Sequence, residues 1–156
     1  MILLPVEAAD TDTIGDVRAL FVEYTNSLGA DFCYQGFDEE LANLPGAYAP
    51  PRGRLLLARE GDDVVGCVAL RPLSDDTCEM KRLYVRPAYR SAGHGRQLVE
   101  AIITAAKEIG YRRLRLDTLP KLAAARQLYR VLGFRNIAPY NDNPISGVEF
   151  LELTLE

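Results

Sequence analysis

The spacing of apolar residues along the chain predicts strands and helices in alternation. Runs typical of β-strands occur at 2–7, 55–60, 64–71, 79–85, 111–118, 134–138 and 148–155. Apolar positions at the spacing of an α-helix predict helices at 13–28, 38–43, 95–109 and 120–132. The polar turn Gly61-Asp62-Asp63 joins two of the strands, which predicts a hairpin.

Residues that commonly begin or end helices support these boundaries. The stretch Thr13-Ile14-Gly15-Asp16 predicts a capping box at the start of the first helix. Gly29, Gly110 and Gly133 follow the last apolar position of three helices, where a left-handed residue often ends the helix. Pro120 is predicted to open the last helix, because proline is well tolerated in a first helical turn.

The order of the elements is a strand, helices, three strands, a helix, a strand, a helix and two strands. Strands that alternate with helices late in the chain predict an α/β (α+β) fold, with helices packed on the faces of a mixed sheet. The chain has 156 residues and contains no repeat, linker or low-complexity tract. It therefore predicts a single domain over residues 1–156.

Composition narrows the class of protein. The chain is 48% hydrophobic and 26% charged, which is typical of a globular protein. No apolar run approaches the ~20 residues that span a bilayer, and the start does not resemble a signal peptide, so no membrane partner is expected. Three cysteines without a CxxC pair indicate reduced thiols and a cytoplasmic location. The only histidine, His94, has no neighbours at ligand spacing, so no metal site is predicted.

Charge is distributed unevenly around a net value of −4. Residues 1–80 contain five arginines and fifteen acidic residues, whereas residues 81–156 contain thirteen basic and seven acidic residues. This division favours an anionic ligand for the second half of the chain, and an uneven solvated surface is the alternative explanation. Nucleic acid is a poor candidate for that ligand, because the basic stretch is short and belongs to an acidic protein.

A glycine turn lies between the strand at 79–85 and the helix at 95–109. It contains Arg90-Ser91-Ala92-Gly93-His94-Gly95 and is followed by Arg96 and Gln97. Glycines at the start of a helix let backbone N–H groups approach a phosphate, which the helix dipole also favours. A dinucleotide fingerprint needs glycine or alanine where Leu98 stands, and no Gly-Lys-Ser/Thr of a P-loop occurs. The phosphate ligand is therefore neither of these two types.

The stretch Leu83-Tyr84-Val85-Arg86-Pro87-Ala88-Tyr89-Arg90-Ser91-Ala92-Gly93-His94-Gly95-Arg96-Gln97-Leu98 resembles the central motif of the GNAT (Gcn5-related) N-acetyltransferases. Downstream, Ala125-Arg126-Gln127-Leu128-Tyr129-Arg130-Val131-Leu132-Gly133-Phe134 is similar to the second motif of that family. The resemblance implies a mixed, mostly antiparallel central sheet of six to seven strands, flanked by about four helices. It also implies acetyl-CoA as co-substrate, without a metal.

The resemblance further implies where acetyl-CoA binds. The backbone of the central strand at Leu83, Tyr84 and Val85 would pair with the pantetheine arm and hold the thioester carbonyl. The turn would enclose the pyrophosphate through Arg90, Ser91, Ala92, Gly93, His94, Gly95, Arg96 and Gln97. Leu122 stands where the family often has asparagine, so a side-chain hydrogen bond to the pantetheine is expected to be missing.

An attacking alkylamine, with a pKa near ~10.4, must lose a proton, and the departing thiolate profits from a proton donor. The resemblance places Tyr129 beside the sulfur as the acid, and its alternative explanation is packing on a buried helix face. Glu79 begins the central strand, where relatives carry a base, and an exposed carboxylate paired with Lys81 is the alternative. Asp117 and Tyr84 are weaker candidates for this base.

The acceptor side carries the least specific signals. In similar proteins the first helices and last strands form its walls, which makes Phe32, Tyr34, Gln35 and Tyr140 candidate acceptor-binding residues. Core packing is the alternative explanation for each aromatic residue among them. The predicted function is acetyl transfer from acetyl-CoA to a primary amine of a small or amino-acid-like molecule. A protein lysine or N-terminus as acceptor and a non-catalytic acyl-CoA sensor remain alternatives. A homodimer is common in similar proteins, although no residue here requires one.

Overall fold

The computed structural model describes residues 1–29 and 36–156, and in these ranges the chain forms seven strands and four α-helices. The strands are β1 (Ile2–Pro5), β2 (Arg54–Glu60), β3 (Asp63–Pro72), β4 (Thr77–Val85), β5 (Arg113–Thr118), β6 (Arg135–Ile137) and β7 (Glu149–Thr154). The helices are α1 (Thr11–Leu28), α2 (Phe37–Ala42), α3 (His94–Ile109) and α4 (Ala123–Val131).

All seven strands belong to one sheet, in the order β1-β2-β3-β4-β5-β7-β6. Within the described part of the chain, β4 and β5 form the only parallel pair, and the other neighbours are antiparallel. Helix α3 connects these two strands, as a parallel pair requires a long crossover. The predicted mixed, mostly antiparallel sheet with helices on its faces is confirmed.

Two hydrophobic cores cover the two faces of the sheet. Leu98, Val99 and Ile102 of α3 pack with Tyr129 of α4 against one face. Val17, Leu20 and Phe21 of α1 and Phe37 of α2 pack against the other face. Each helix therefore buries one apolar stripe, as the helical spacing in the sequence predicts.

The starts of α1 and α4 differ from the predicted ones by more than one residue. Helix α1 begins at Thr11, because the side chain of Asp10 accepts hydrogen bonds from the N–H (3.1 Å) and the hydroxyl of Thr13. The predicted capping box at 13–16 is therefore wrong. Helix α4 begins at Ala123 and not at Pro120, because a turn closed by the bond from Leu122 N–H to the Leu119 carbonyl (3.0 Å) precedes it.

Strands β4 and β5 pair over only part of their length. The parallel register joins Thr77 to Arg113, Cys78 to Leu114 and Glu79 to Arg115. Strand β4 continues to Val85 and β5 to Thr118, but in this described region no further pair joins them. The two strands therefore separate beyond Glu79, and the middle of the sheet contains an opening.

Candidate functional site

A cavity of about 120 Å³ occupies the opening between β4 and β5. It is lined from one face of the sheet by Tyr24 and Thr25 of α1, and from the other by Ala125 and Tyr129 of α4. A wider cleft of about 590 Å³ adjoins it and extends to the start of α3. The two spaces share four lining residues, Leu28, Leu83, Leu122 and Ala125. Together they form one channel from the glycine turn into the middle of the sheet.

The glycine turn lies at the outer end of this channel. Gly93 precedes α3 with a left-handed φ of 83°, and Ser91 has a φ of 70°. The first helical bond runs from the Gln97 N–H to the Gly93 carbonyl (3.1 Å), so the N–H groups before Gln97 are not used within the helix. Arg90, Ser91, Gly93, His94 and Gly95 line the wider cleft. The turn thus combines unused N–H groups, a helix N-terminus and a cation.

His94 is buried within this turn. Its Nε2 lies 3.4 Å from Glu60 Oε1, and its ring contacts Tyr89 edge-on with centroids 6.4 Å apart. Its Nδ1 is buried and has no hydrogen-bond partner in the described part of the chain. His94 therefore packs beneath the turn as well as lining the cleft.

A β-bulge shapes β4 beside the channel. Between the Cys67–Tyr84 and Ala69–Lys81 pairs, β4 has one more residue than β3, and Arg82 adopts a left-handed φ of 60°. Gly66 permits this arrangement, because a Cβ at that position would overlap the Tyr84 carbonyl oxygen. The bulge turns Leu83 toward the same core as Met80, and leaves backbone at Arg82 and Leu83 outside the regular ladder.

The side chain of Arg82 is held from the α1–α2 side of the sheet. Its Nε donates to Glu40 Oε2 over 2.9 Å, and Nη2 donates to Glu40 Oε1 over 3.0 Å. The guanidinium also lies over the rings of Phe21 (5.9 Å) and Phe37 (5.3 Å). These contacts fix the strained residue of the bulge. Sequence reasoning missed both Arg82 and Gly66, although a glycine inside a strand is a known signal for a bulge.

Tyr129 lies on the inner side of α4 and lines the cavity. Its side chain packs on Phe134, with ring centroids 5.6 Å apart. Burial raises the pKa of its phenol above the ordinary value, with further contributions from Tyr24 and Asp117. No residue in the described ranges makes a hydrogen bond to its hydroxyl. Tyr129 is thus a protonated phenol beside the channel with a free O–H donor.

Glu79 is completely buried, with an exposed fraction of 0%. Arg71 donates to its Oε1 through Nε over 2.8 Å, and the Tyr140 hydroxyl donates to its Oε2 over 2.5 Å. Neither Glu79 nor Tyr140 is among the residues that line the cavity. The alternative explanation, an exposed carboxylate paired with Lys81, is therefore wrong, because Glu79 is buried and Lys81 faces Asp117.

Asp117 is the carboxylate that lines the cavity. Its Oδ2 accepts hydrogen bonds from the side-chain amides of Asn141 (3.1 Å) and Asn143 (3.2 Å), and its Oδ1 lies 3.7 Å from Lys81 Nζ. Burial alone would raise the pKa of Asp117, but Lys81 and the two amides outweigh burial and hold the pKa below its usual value. Asp117 therefore carries a negative charge at neutral pH.

The predicted acceptor-binding residues have different outcomes. Phe32, Tyr34 and Gln35 lie outside the described residues. Tyr140 packs edge-on against Phe150 (5.3 Å), with its hydroxyl directed to Glu79. Tyr140 thus contacts the carboxylate of Glu79 and does not line the cavity. Its place in acceptor binding stays a prediction.

Residues 1–29 and 36–156 contain neither a candidate metal site nor a candidate membrane-spanning helix. There, no group of three or more His, Cys, Asp or Glu side chains could hold a metal ion. In the same ranges, no helix has the length and hydropathy needed to cross a membrane.

Comparisons with a family model and with related proteins indicate the same family. The model of the acetyltransferase (GNAT) family matches residues 18–134. An uncharacterized N-acetyltransferase of Schizosaccharomyces pombe is 42% identical over 144 residues, which cover 91% of this chain and 88% of that protein. An uncharacterized N-acetyltransferase of Dictyostelium discoideum is 30% identical, with 100% of both chains covered.

Among solved structures, the fold is similar to that of a GNAT family acetyltransferase from Elizabethkingia anophelis with acetyl-CoA bound. The TM-score is 0.69, with 23% identity over 99% of this chain and 97% of that one. At this level of identity the likeness concerns the fold alone.

Proposed function

The chain belongs to the GNAT family of acetyltransferases, whose acyl donor is acetyl-CoA, and from this premise we propose that it acetylates a primary amine of a small molecule by direct attack on the thioester. The observation that carries this proposal is the channel itself. It joins the glycine turn, which is proposed to bind phosphate, to a cavity that contains the phenol of Tyr129. Side chains from both faces of the sheet line this cavity.

The donor is proposed to lie along the channel with its pyrophosphate at the glycine turn. Unused N–H groups at the start of α3 and the cation of Arg90 support this placement, because both favour a doubly charged anion. The pantetheine arm would follow β4 at Leu83, Tyr84 and Val85. Leu122 precedes α4 and lines both spaces, which supports an apolar contact with the arm where the family often has asparagine.

The thioester carbonyl is proposed to lie at the bulge of β4. Backbone N–H groups outside a regular ladder can hold the oxygen on which negative charge develops, and they need no movement during the reaction. The bidentate pair between Arg82 and Glu40 supports this placement of the carbonyl, because it fixes the strained residue of the bulge from the α1–α2 side of the sheet.

The reaction exchanges one bond for another. The amine nitrogen forms a bond to the carbonyl carbon, the C–S bond breaks, and the sulfur departs as a thiolate that needs a proton. Tyr129 is the proposed donor to the sulfur. Because its pKa is raised, its O–H acts mainly as a hydrogen bond that strengthens as the thiolate forms. The nitrogen of the tetrahedral intermediate releases a proton, which protonates the thiolate, so that the products are the amide and the CoA thiol.

The initial deprotonation of the ammonium is assigned to Glu79. Glu79 does not line the cavity and its two oxygens are engaged by Arg71 and Tyr140, so the proton would have to reach it through water and not by direct contact with the amine. The buried free thiols of Cys67 and Cys78 agree with the cytoplasmic location that the sequence predicts.

A small acceptor is favoured over a protein by the size of the cavity, about 120 Å³. The proposal is tested by release of CoA thiol from acetyl-CoA in the presence of a panel of small amines. We expect turnover with some small amines and none with peptides acetylatable only at lysine. Tight binding of acetyl-CoA without turnover of any amine would instead identify a non-catalytic acyl-CoA sensor.

A further inference from the structure

Two opposite charges face each other across the opening between β4 and β5. Lys81 Nζ lies 3.7 Å from Asp117 Oδ1, a distance too long for a hydrogen bond. Both side chains are mostly buried, with exposed fractions of 16% for Lys81 and 13% for Asp117. Both line the cavity that contains Tyr129. The pair therefore stands where the proposed acceptor must enter.

The hydrogen-bonding capacity of this pair is largely unused. In the described ranges the Lys81 ammonium donates no hydrogen bond, although it has three N–H donors. The amides of Asn141 and Asn143 occupy only the Oδ2 of Asp117, so that Oδ1 remains available. Structural ion pairs that are mostly buried normally complete their hydrogen bonds, because desolvation is costly. A pair that is held apart with free donors and acceptors indicates a ligand between or beside the charges.

A third polar group points in the same direction. Thr118 follows Asp117 on β5 and also lines the cavity. Its hydroxyl is buried and has no hydrogen-bond partner in the described part of the chain. Buried hydroxyls are rarely left without a partner, so this one indicates a polar group of a ligand that the cavity receives.

We propose that the acceptor is an α-amino acid, or a molecule with the same carboxylate beside its amine, whose carboxylate binds Lys81 and whose amino group binds Asp117. This inference rests on the proposed acetyl transfer and adds the class of acceptor. One carbon atom separates the two charged groups of an α-amino acid, so they lie side by side as Lys81 and Asp117 do. Neither a lysine side chain of a protein nor a protein N-terminus carries a carboxylate in this position.

The experiment compares two acceptors of the acetyl group for each amino acid found in proteins. One is the free amino acid, and the other is the same molecule with its α-carboxylate converted to a carboxamide. The two molecules share the side chain and the α-amine, and the amide lacks the carboxylate charge that Lys81 would bind. For the best acceptor we expect kcat/KM to be about 10- to 100-fold higher for the acid than for the amide, as for a hydrogen bond between charged groups. Equal rates for acids and amides would overturn the acceptor class and leave acetyl transfer intact. Failure of every amine would overturn both proposals.

Variants at Lys81 assign the preference to this residue. Lys81→Met should remove the preference for the acid, expressed as the ratio of kcat/KM for the acid to kcat/KM for the amide, and Lys81→Arg should retain part of that preference. Lys107→Met is the matched control, because Lys107 is an exposed lysine in the last turn of α3, and it should keep the full preference. Thermal unfolding verifies that each variant is folded. If folded Lys81→Met keeps the full preference of the wild type, or if Lys107→Met loses the preference as Lys81→Met does, the assignment is wrong.

Discussion

Replacement of Tyr129 by phenylalanine should slow acetyl transfer without weakening the fold. The substitution removes one hydroxyl, which has no hydrogen-bond partner in the described part of the chain, and keeps the ring contact with Phe134 (5.6 Å). Loss of an unpaired buried hydroxyl is close to neutral for stability, so we expect a change in the free energy of unfolding below about 0.5 kcal/mol.

The size of the effect on the rate follows from the environment of the phenol. Proton donors typically raise the rate of a reaction 10²–10⁴-fold. A phenol ordinarily has a higher pKa than a thiol, ~8.5, and burial raises the pKa of Tyr129 further. Full proton transfer from Tyr129 to the thiolate is therefore unfavourable. The contribution of Tyr129 is instead a hydrogen bond that strengthens in the transition state. We expect kcat to fall about 100-fold, near the lower limit of that range, which corresponds to about 2.7 kcal/mol.

The assay measures release of CoA thiol at saturating acetyl-CoA, together with the dissociation constant of acetyl-CoA. The fall should appear in kcat and kcat/KM alike, with acetyl-CoA affinity within about threefold of the wild type. Tyr111→Phe is the control, because the Tyr111 hydroxyl donates to the Arg52 carbonyl (2.7 Å) away from the cavity. That control should lose about 1 kcal/mol of stability and no activity. An unchanged kcat for Tyr129→Phe would refute the assignment of the acid, as would a loss of acetyl-CoA affinity that equals the loss of rate.

Two further predictions concern the bulge and the acidic side of the cavity. Gly66→Ala should lower the free energy of unfolding by about 1–3 kcal/mol, because its Cβ would overlap the Tyr84 carbonyl. Gly15→Ala is the control, because no atom lies within 4 Å of the added Cβ, and it should be neutral or stabilising by up to ~1 kcal/mol. Thermal unfolding of both variants measures these changes. The pKa of Asp117 is depressed in the folded state, so its charge stabilises the fold above the unfolded value of ~3.9, and this contribution is lost as the pH falls through the lower folded value. Asp117→Asn should therefore cost on the order of 1 kcal/mol at about pH 6 and less at about pH 2, and an equal cost at both pH values would contradict this linkage.

Much of the fold could be predicted because the signals are local. Runs of residues typical of β-strands marked the strands, and apolar spacing marked α3 so well that its predicted start at 95 differs from the observed His94 by one residue. The glycine turn was identified in the same way, since Gly93, Gly95 and the start of the helix are neighbours in sequence. Local signals failed where a side chain outside the expected segment set the boundary, as Asp10 does for α1.

The candidate site could be predicted only in part, because its partners are distant in sequence. The sequence indicated Glu79 as a candidate base, with an exposed carboxylate at the end of a strand as the alternative, but it did not indicate that the fold brings Arg71 and Tyr140 onto this carboxylate, the latter from 61 residues away. The contact between Lys81 and Asp117 depends in turn on the register of β4 and on the separation of β4 from β5. No spacing along the chain encodes these contacts.

The sequence by itself determined the order of the elements and the family, because each depends on residues within a few turns or strand positions of one another. The tertiary structure decided what surrounds the reacting groups. The bulge at Arg82 requires a close approach by Gly66 and a clamp by Glu40, and the opening beyond Glu79 requires β4 and β5 to separate. The physical reason is that burial and pairing of charge depend on which segments meet in space, and this is set by the packing of the whole sheet.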